Sequence, residues 1–388
     1  MPPVVAVGEL GMDGSVRPTN GALPAALVAR ELGVPCLLHP EMAAQAACVS
    51  GVDLRPVRTL NEARGVASGR ATPDRVPDVG VRVADPADMS DVRGQAYPRR
   101  ALEIAAAGGH HLLLTGPPGC GKTMLAHRLP SLLPPLTDDE ALEVACVWSA
   151  ADRWRHPGSP PPFRSPHHSA SMAAVLGGGS GMPVPGELSL AHRGVLFLDE
   201  LGEYPSNLLD SFRQPIEQGS ITIARKGATV TYPASCQVVA ATNPCPCGYL
   251  GDRVRRCRCA DAGVSKYRQR LSGPLLDRFD LRVTVARPER LDGPPGEESA
   301  AIRERVVVAR ARQRDRGRLN RDLSGAELDA LTVSSEGGGM LKSAVDRGIV
   351  TGRGYDRTRR IARTIADLAG DPIVGAPHVA EAMSVRGE

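Results

Sequence analysis

The chain has 388 residues, with 47 Lys and Arg against 43 Asp and Glu, for a net charge of +4. That length supports two or three domains, and so small a charge permits a nucleic-acid partner without demanding one. No apolar run of about 18 residues exists to span a bilayer, no basic-then-apolar N-terminus marks secretion, and nine cysteines outside any compact secreted pattern fit a reducing cytoplasm.

Residues 4–9 read as a strand, 23–32 as a helix, 36–38 as a strand and 41–47 as a second helix, making a small α/β unit over 1–64. Residues 65–87, rich in Gly, Pro, Asp and Arg, read as a linker. The core spans 88–290. It holds a helix at 99–107, a strand at 112–115, a helix from 122 to 129 and a proline-rich irregular segment at 156–166. An apolar strand at 195–198 follows. Stretches 220–225 and 228–232 predict a hairpin turning at Lys226-Gly227, and 238–241 another buried strand. Helices dominate 291–388 as a separate small bundle. The pattern predicts an α/β fold, a parallel αβα nucleotide-binding core with a helical lid.

Gly116-Pro117-Pro118-Gly119-Cys120-Gly121-Lys122-Thr123 has the full phosphate-loop spacing between a strand and a helix. Its glycines let backbone N–H groups face phosphates, Lys122 reaches the β and γ phosphates of ATP, and Thr123 suits Mg²⁺. Cys120 stands at the helix N-terminus, a position that favours thiolate. Downstream, the strand Val195-Leu196-Phe197-Leu198 delivers Asp199 and Glu200 to an edge where open α/β sheets bind ligands. Asp199 is the second Mg²⁺ residue and Glu200 the general base for water. Asn243, ending the next strand, offers a neutral amide to the same site.

Cys245, Cys247, Cys257 and Cys259 form C-x-C, nine residues, then C-x-C. Four thiolates suit a structural Zn²⁺, although the one-residue inner spacing is tighter than usual. Free buried thiols and a labile redox group are the alternatives. Losing these cysteines is expected to leave ATP binding unchanged, because the phosphate loop is placed on another part of the sheet. Arg253, Arg255, Arg256 and Arg258 make the intervening loop basic. The histidine pairs His110-His111 and His167-His168 are poor metal candidates, since adjacent side chains diverge. They read as packing or nucleotide-edge contacts in an insert near a pore.

The order of parts resembles the AAA+ ATPases and, within them, the magnesium-chelatase-like branch. The resemblance to the ComM/YifB family covers essentially the whole chain. It is carried by Gly108-Gly109-His110-His111, Pro162-Phe163-Arg164-Ser165-Pro166-His167-His168-Ser169, Gly186-Glu187-Leu188-Ser189-Leu190-Ala191-His192 and Asn243-Pro244-Cys245-Pro246-Cys247-Gly248. That resemblance implies an AAA+ core preceded by a Lon-protease/ribosomal-S5-like domain, of which residues 4–60 match only the second half. This leaves the strand at 4–9 as an expected unpaired edge. The first lysine is Lys122, so residues 1–64 lack a Ser–Lys peptidase dyad.

The resemblance further implies that Asn243 is sensor 1, that Arg278 is an arginine finger offered to a neighbouring subunit, and that Arg353 is sensor 2. Partners would be further copies of the chain in a hexameric ring, and single-stranded or branched DNA, which Lys226 at the hairpin tip would touch. The implied activity is ATP hydrolysis driving branch migration in natural transformation or recombination. The alternative is the ATPase subunit of a magnesium chelatase, driving metal insertion into a porphyrin.

Overall fold

The computed structural model describes residues 2–77, 87–156, 158–179, 182–225, 228–252, 254–271, 273–287 and 293–387, with Arg353 described in its backbone alone. Five strands form the larger sheet: β1 (Leu112–Thr115), β2 (Phe163–Arg164), β3 (Val195–Leu198), β4 (Gln237–Thr242) and β5 (Leu281–Thr284). All are parallel, in the order β5-β1-β4-β3-β2. Every residue of β3 and β4 is buried, as expected for strands covered on both faces by helices. Parallel strands bring all their C-termini to one edge. The segments that follow β1, β3 and β4 therefore emerge side by side, with Leu198 paired to Ala240 and Thr242 to Thr115.

One face of the sheet packs on helices Ala96–Gly108 and Lys122–Leu132. The same cluster continues through Ile302, Val306, Leu341, Ile361, Ile365 and Val379 of the C-terminal helices. The segment expected as a separate bundle is therefore docked on the core. The cause is a stripe, Ile302, Val306, Ala309 and Gln313, at helical spacing along helix Ser299–Asp315. The arginines of that helix, which look evenly spread in sequence, are largely engaged in this docking. Arg305 pairs with Glu103 at 2.6 Å and with Glu297 at 2.6 Å, and Arg310 donates to the Ala106 carbonyl. The other face of the sheet is closed by Leu188, Leu208, Leu209, Phe212 and Leu275.

The N-terminal unit is a three-stranded parallel sheet, Val5–Val7, Cys36–Leu38 and Leu54–Pro56, with Cys36–Leu38 in the middle. Val5–Val7 is thus an edge strand, shorter than the 4–9 expected, and Glu9–Leu10 pairs instead with Val16–Arg17. Helices Ala22–Leu32 and Pro40–Ala46 fill its core together with Leu142, Ala145 and Cys146 of helix Asp138–Ala150, which ties the unit to the segment between β1 and β2. Strands Ser220–Arg225 and Ala228–Pro233 form the expected hairpin, in register from Ser220–Pro233 to Arg225–Ala228. The Lys226-Gly227 tip lies outside the described residues.

Candidate nucleotide-binding site

At the C-terminal edge of the sheet a cleft of about 450 Å³ is lined by Pro118 to Met124, Asp199, Glu200 and Ala241 to Asn243. Gly119 and Gly121 sit at φ +73° and +97°, conformations open to glycine, and the helix begins at Lys122. A Cβ at Gly116 would fall 2.2 Å from the Val285 carbonyl oxygen, so the loop can pass β5 only as glycine. Lys122 is nine-tenths buried. Its Nζ donates to the carbonyls of Gly116 at 2.6 Å and Pro117 at 3.0 Å and to Asn243 Oδ1 at 3.2 Å. Burial lowers the ammonium pKa, opposed by Cys120, Asp199 and Glu200. The residue expected at the phosphates and the expected sensor therefore touch.

Thr123 Oγ1 donates to Asp199 Oδ2 at 2.8 Å. Two hard oxygen donors meeting on the phosphate side of the cleft fit Mg²⁺, and these are the residues that would hold it. Glu200 adopts a left-handed backbone, φ +51°, uncommon for a residue with a side chain. Its N–H donates to Asp199 Oδ1 at 2.9 Å. Its carboxylate turns toward His168, whose Nδ1 lies 3.4 Å from Glu200 Oε2. His168 packs on two rings: its centroid is 4.0 Å from that of His167 and, edge-on, 6.4 Å from that of Tyr204, and the Tyr204 hydroxyl donates to the Pro166 carbonyl at 2.6 Å. Sequence reasoning missed this contact. The His-His pair followed β2, and only the sheet order shows that β2 runs beside β3.

Two further readings change. Cys120 is buried, and burial raises its thiol pKa above the ordinary 9.0 despite the nearby Lys122, so it is a protonated packing residue and not a thiolate. His110 and His111 sit at the entry to β1, away from the cleft and buried. His110 Nε2 is 2.8 Å from Thr364 Oγ1 and His111 Nδ1 accepts from the Val238 N–H at 3.0 Å. They are packing residues, and no nucleotide-edge role fits that position. Gln95, unremarked in the sequence, supports the phosphate loop by donating from Nε2 to the Cys120 carbonyl at 2.7 Å.

Residues 88–292 match the family described as magnesium chelatase, subunit ChlI, and 296–386 match its C-terminal family. The chain is 45% identical to an uncharacterised protein of Mycobacterium tuberculosis, over 98% of this chain and 78% of that one. It is 41% identical to protein YifB of Escherichia coli and 40% identical to competence protein ComM of Haemophilus influenzae, each over 98% of this chain and 76% or 77% of theirs. The chain belongs to the ComM/YifB family of magnesium-chelatase-like AAA+ ATPases. A more distant match, 26% identical over half of this chain, is to the DNA replication licensing factor Mcm2 of Drosophila melanogaster. Membership in this ATPase family implies ATP and Mg²⁺ at the cleft just described. No helix among the described residues is long and apolar enough to cross a membrane.

Arg278, at the turn before β5, is not among the lining residues of the cleft; its guanidinium pairs with Glu217 at 2.6 Å. Arg353 is the second residue of helix Gly352–Ala369, capped by the Thr351 hydroxyl on the Gly354 N–H at 3.1 Å. Its side chain lies outside the described residues.

Cys245, Cys247, Cys257 and Cys259 converge, with all four sulfurs within 4.8 Å of one another. The backbone N–H groups of Arg258 and Tyr249 pull the Cys247 thiol down to about 6. Arg253, in the basic loop between the cysteine pairs, lies outside the described residues. Arg255 is exposed. It donates to the Tyr249 hydroxyl at 2.9 Å and stacks over that ring.

Proposed function

We propose that this chain is a cytoplasmic motor that hydrolyses ATP to ADP and phosphate in a ring of identical subunits and uses that energy to remodel DNA. The observation that carries the ATPase reading is the convergence of Lys122, Thr123, Asp199, Glu200 and Asn243 from three adjacent strands on one cleft. Lys122 binds the β and γ phosphates, exchanging its carbonyl partners for phosphate oxygens. Thr123 and Asp199 would hold Mg²⁺, which would screen phosphate charge. Glu200 accepts the proton of the attacking water as the oxygen bonds to the γ phosphorus and the bond to the β-bridging oxygen breaks. Asn243 orients the γ phosphate or the water. The family motif assigns Arg353 the role of sensor 2. Arg278, held by Glu217 outside its own cleft, is the guanidinium offered across the subunit boundary to stabilise charge on the transferred group.

The DNA substrate is supported by the names of the relatives, a competence protein and a replication licensing factor, and by the antiparallel hairpin that precedes β4 in sequence, whose strands flank Lys226-Gly227 in the chain. Branch migration during transformation or recombination is the activity we assign. The test is displacement of a labelled strand from a synthetic three- or four-way junction. Wild-type protein with ATP should migrate the branch, and Glu200→Gln should not. The competing reading is a motor for metal insertion into a porphyrin, supported by the family description. It predicts a junction-inactive ATPase whose turnover ignores DNA.

A further inference from the structure

The cysteine cluster has the dimensions of a metal site. Tetrahedral zinc–thiolate bonds of about 2.3 Å require sulfurs about 3.8 Å apart. The Cys245–Cys247, Cys245–Cys257 and Cys247–Cys257 sulfurs are 3.5, 3.7 and 3.6 Å apart. All four cysteines are free thiols. Two backbone N–H groups already point at sulfurs, Cys247 toward Cys259 at 3.4 Å and Cys259 toward Cys257 at 3.5 Å, as outer-shell support for bound thiolates does. Four soft donors, three of them at tetrahedral spacing and the fourth within 4.8 Å of the rest, select zinc among common divalent ions.

The position of the cluster matters as much as its shape. Cys245 follows Asn243 by two residues, and Asn243 touches Lys122. Gly248, inside the cysteine loop at φ +81°, lies so close to the phosphate loop that a Cβ there would stand 2.5 Å from Pro118 Cδ. Asp252 anchors the same loop to Arg287, just beyond β5, at 3.0 Å. After Cys259 the chain enters helix Asp261–Arg270, whose Tyr267 fills the space over Gly202 in the turn after Glu200 and lies 3.4 Å from Thr242. The expectation that the cysteines stand apart from the nucleotide site is therefore wrong. β4 is the neighbour of β1, so what leaves its end must run alongside the phosphate loop.

We infer that Cys245, Cys247, Cys257 and Cys259 bind one structural Zn²⁺, and that this closed clip holds Asn243 and the phosphate loop in register for nucleotide. Binding releases the protons of the thiols still protonated, and the ordering of the loop is part of its free energy. The zinc site stands on the sulfur geometry alone, whereas its effect on turnover rests on the ATPase reading of the cleft.

The test uses full-length protein purified under reducing conditions without chelator. Elemental analysis should find about one zinc per chain, and Co²⁺ replacement should give the visible bands of a tetrahedral thiolate site. Absent metal, or iron in its place, overturns the zinc assignment. Stripping zinc with a chelator should raise the dissociation constant for fluorescent ATP about tenfold, with recovery on adding Zn²⁺, the scale of loss typical when supporting contacts are removed. Gly248→Ala, which leaves all four ligands intact, should retain zinc and weaken ATP binding in the same direction. Stripped protein that binds ATP as tightly as the zinc form overturns the clip, even if the metal is present. These readouts are metal content and binding, so a chain that binds ATP without hydrolysing it would fail the proposed function and still decide this inference.

Discussion

His111 provides a quantitative test of how the strands carrying the site are held together. Its Nδ1 accepts the Val238 N–H at 3.0 Å, linking the entry of β1 to β4, and its own N–H donates to Asp280 Oδ2 at 3.2 Å. The accepting nitrogen leaves no room for a second proton. Burial first, then the charge of Arg321, lowers the imidazole pKa from 6.5 to about 3. A basic group lowered in this way is neutral in the folded state, so protonation favours unfolding. Its stability is complete above pH 6.5 and is lost as pH falls toward 3. Between pH 7 and pH 5 the loss is about 1.4 kcal/mol per unit over roughly 1.5 units, about 2 kcal/mol. The figure is insensitive to the folded value, because pH 5 lies well above it. His111→Asn places an amide oxygen where Nδ1 accepts but does not titrate. Urea unfolding of both proteins at pH 7 and pH 5 should show wild type losing about 2 kcal/mol more than the variant across that interval. His192 is also lowered by burial, but it is common to both proteins and cancels. Equal losses in the two proteins would refute the assignment of a neutral, accepting His111.

Three further outcomes are expected. Glu200→Gln should bind ATP normally and lose turnover by about a hundredfold or more, measured by phosphate release, because the base is gone while Lys122, Thr123 and Asp199 remain. His168→Ala should lower kcat by about tenfold with ATP affinity within about twofold, since the Glu200 carboxylate loses the partner at 3.4 Å that orients it; a proportional rise in KM would assign His168 to binding instead. Arg278→Ala should bind ATP but hydrolyse it about a thousandfold more slowly, and mixing with Glu200→Gln subunits should restore part of the activity, because each variant supplies what the other lacks. Full activity of Arg278→Ala at high dilution would contradict action across a subunit boundary.

The phosphate loop and the acidic strand were legible because each is a local pattern: spacing fixes the loop, and an apolar run ending in two carboxylates fixes the strand. Asn243 followed by the same logic. What sequence could not supply was adjacency between strands. The contact of His168 with Glu200 needs β2 beside β3, and the contact of Gly248 with Pro118 needs β4 beside β1. Both are long-range consequences of sheet order. The docking of the C-terminal helices was missed for a different reason. The stripe of Ile302, Val306 and Ala309 that meets the core is narrow and lies among the many arginines of helix Ser299–Asp315. At Cys120 the helix terminus favours thiolate, but burial dominates and raises the thiol pKa.

In the proposed function, ATP hydrolysis at this cleft is coupled to DNA. Its most direct test is the steady-state ATPase rate of the wild-type chain alone and with single-stranded, duplex and branched DNA, beside Glu200→Gln under the same conditions. Hydrolysis should rise several-fold with single-stranded or branched DNA and vanish in Glu200→Gln. A rate unchanged by every DNA, or one that survives in Glu200→Gln, would contradict the proposed function.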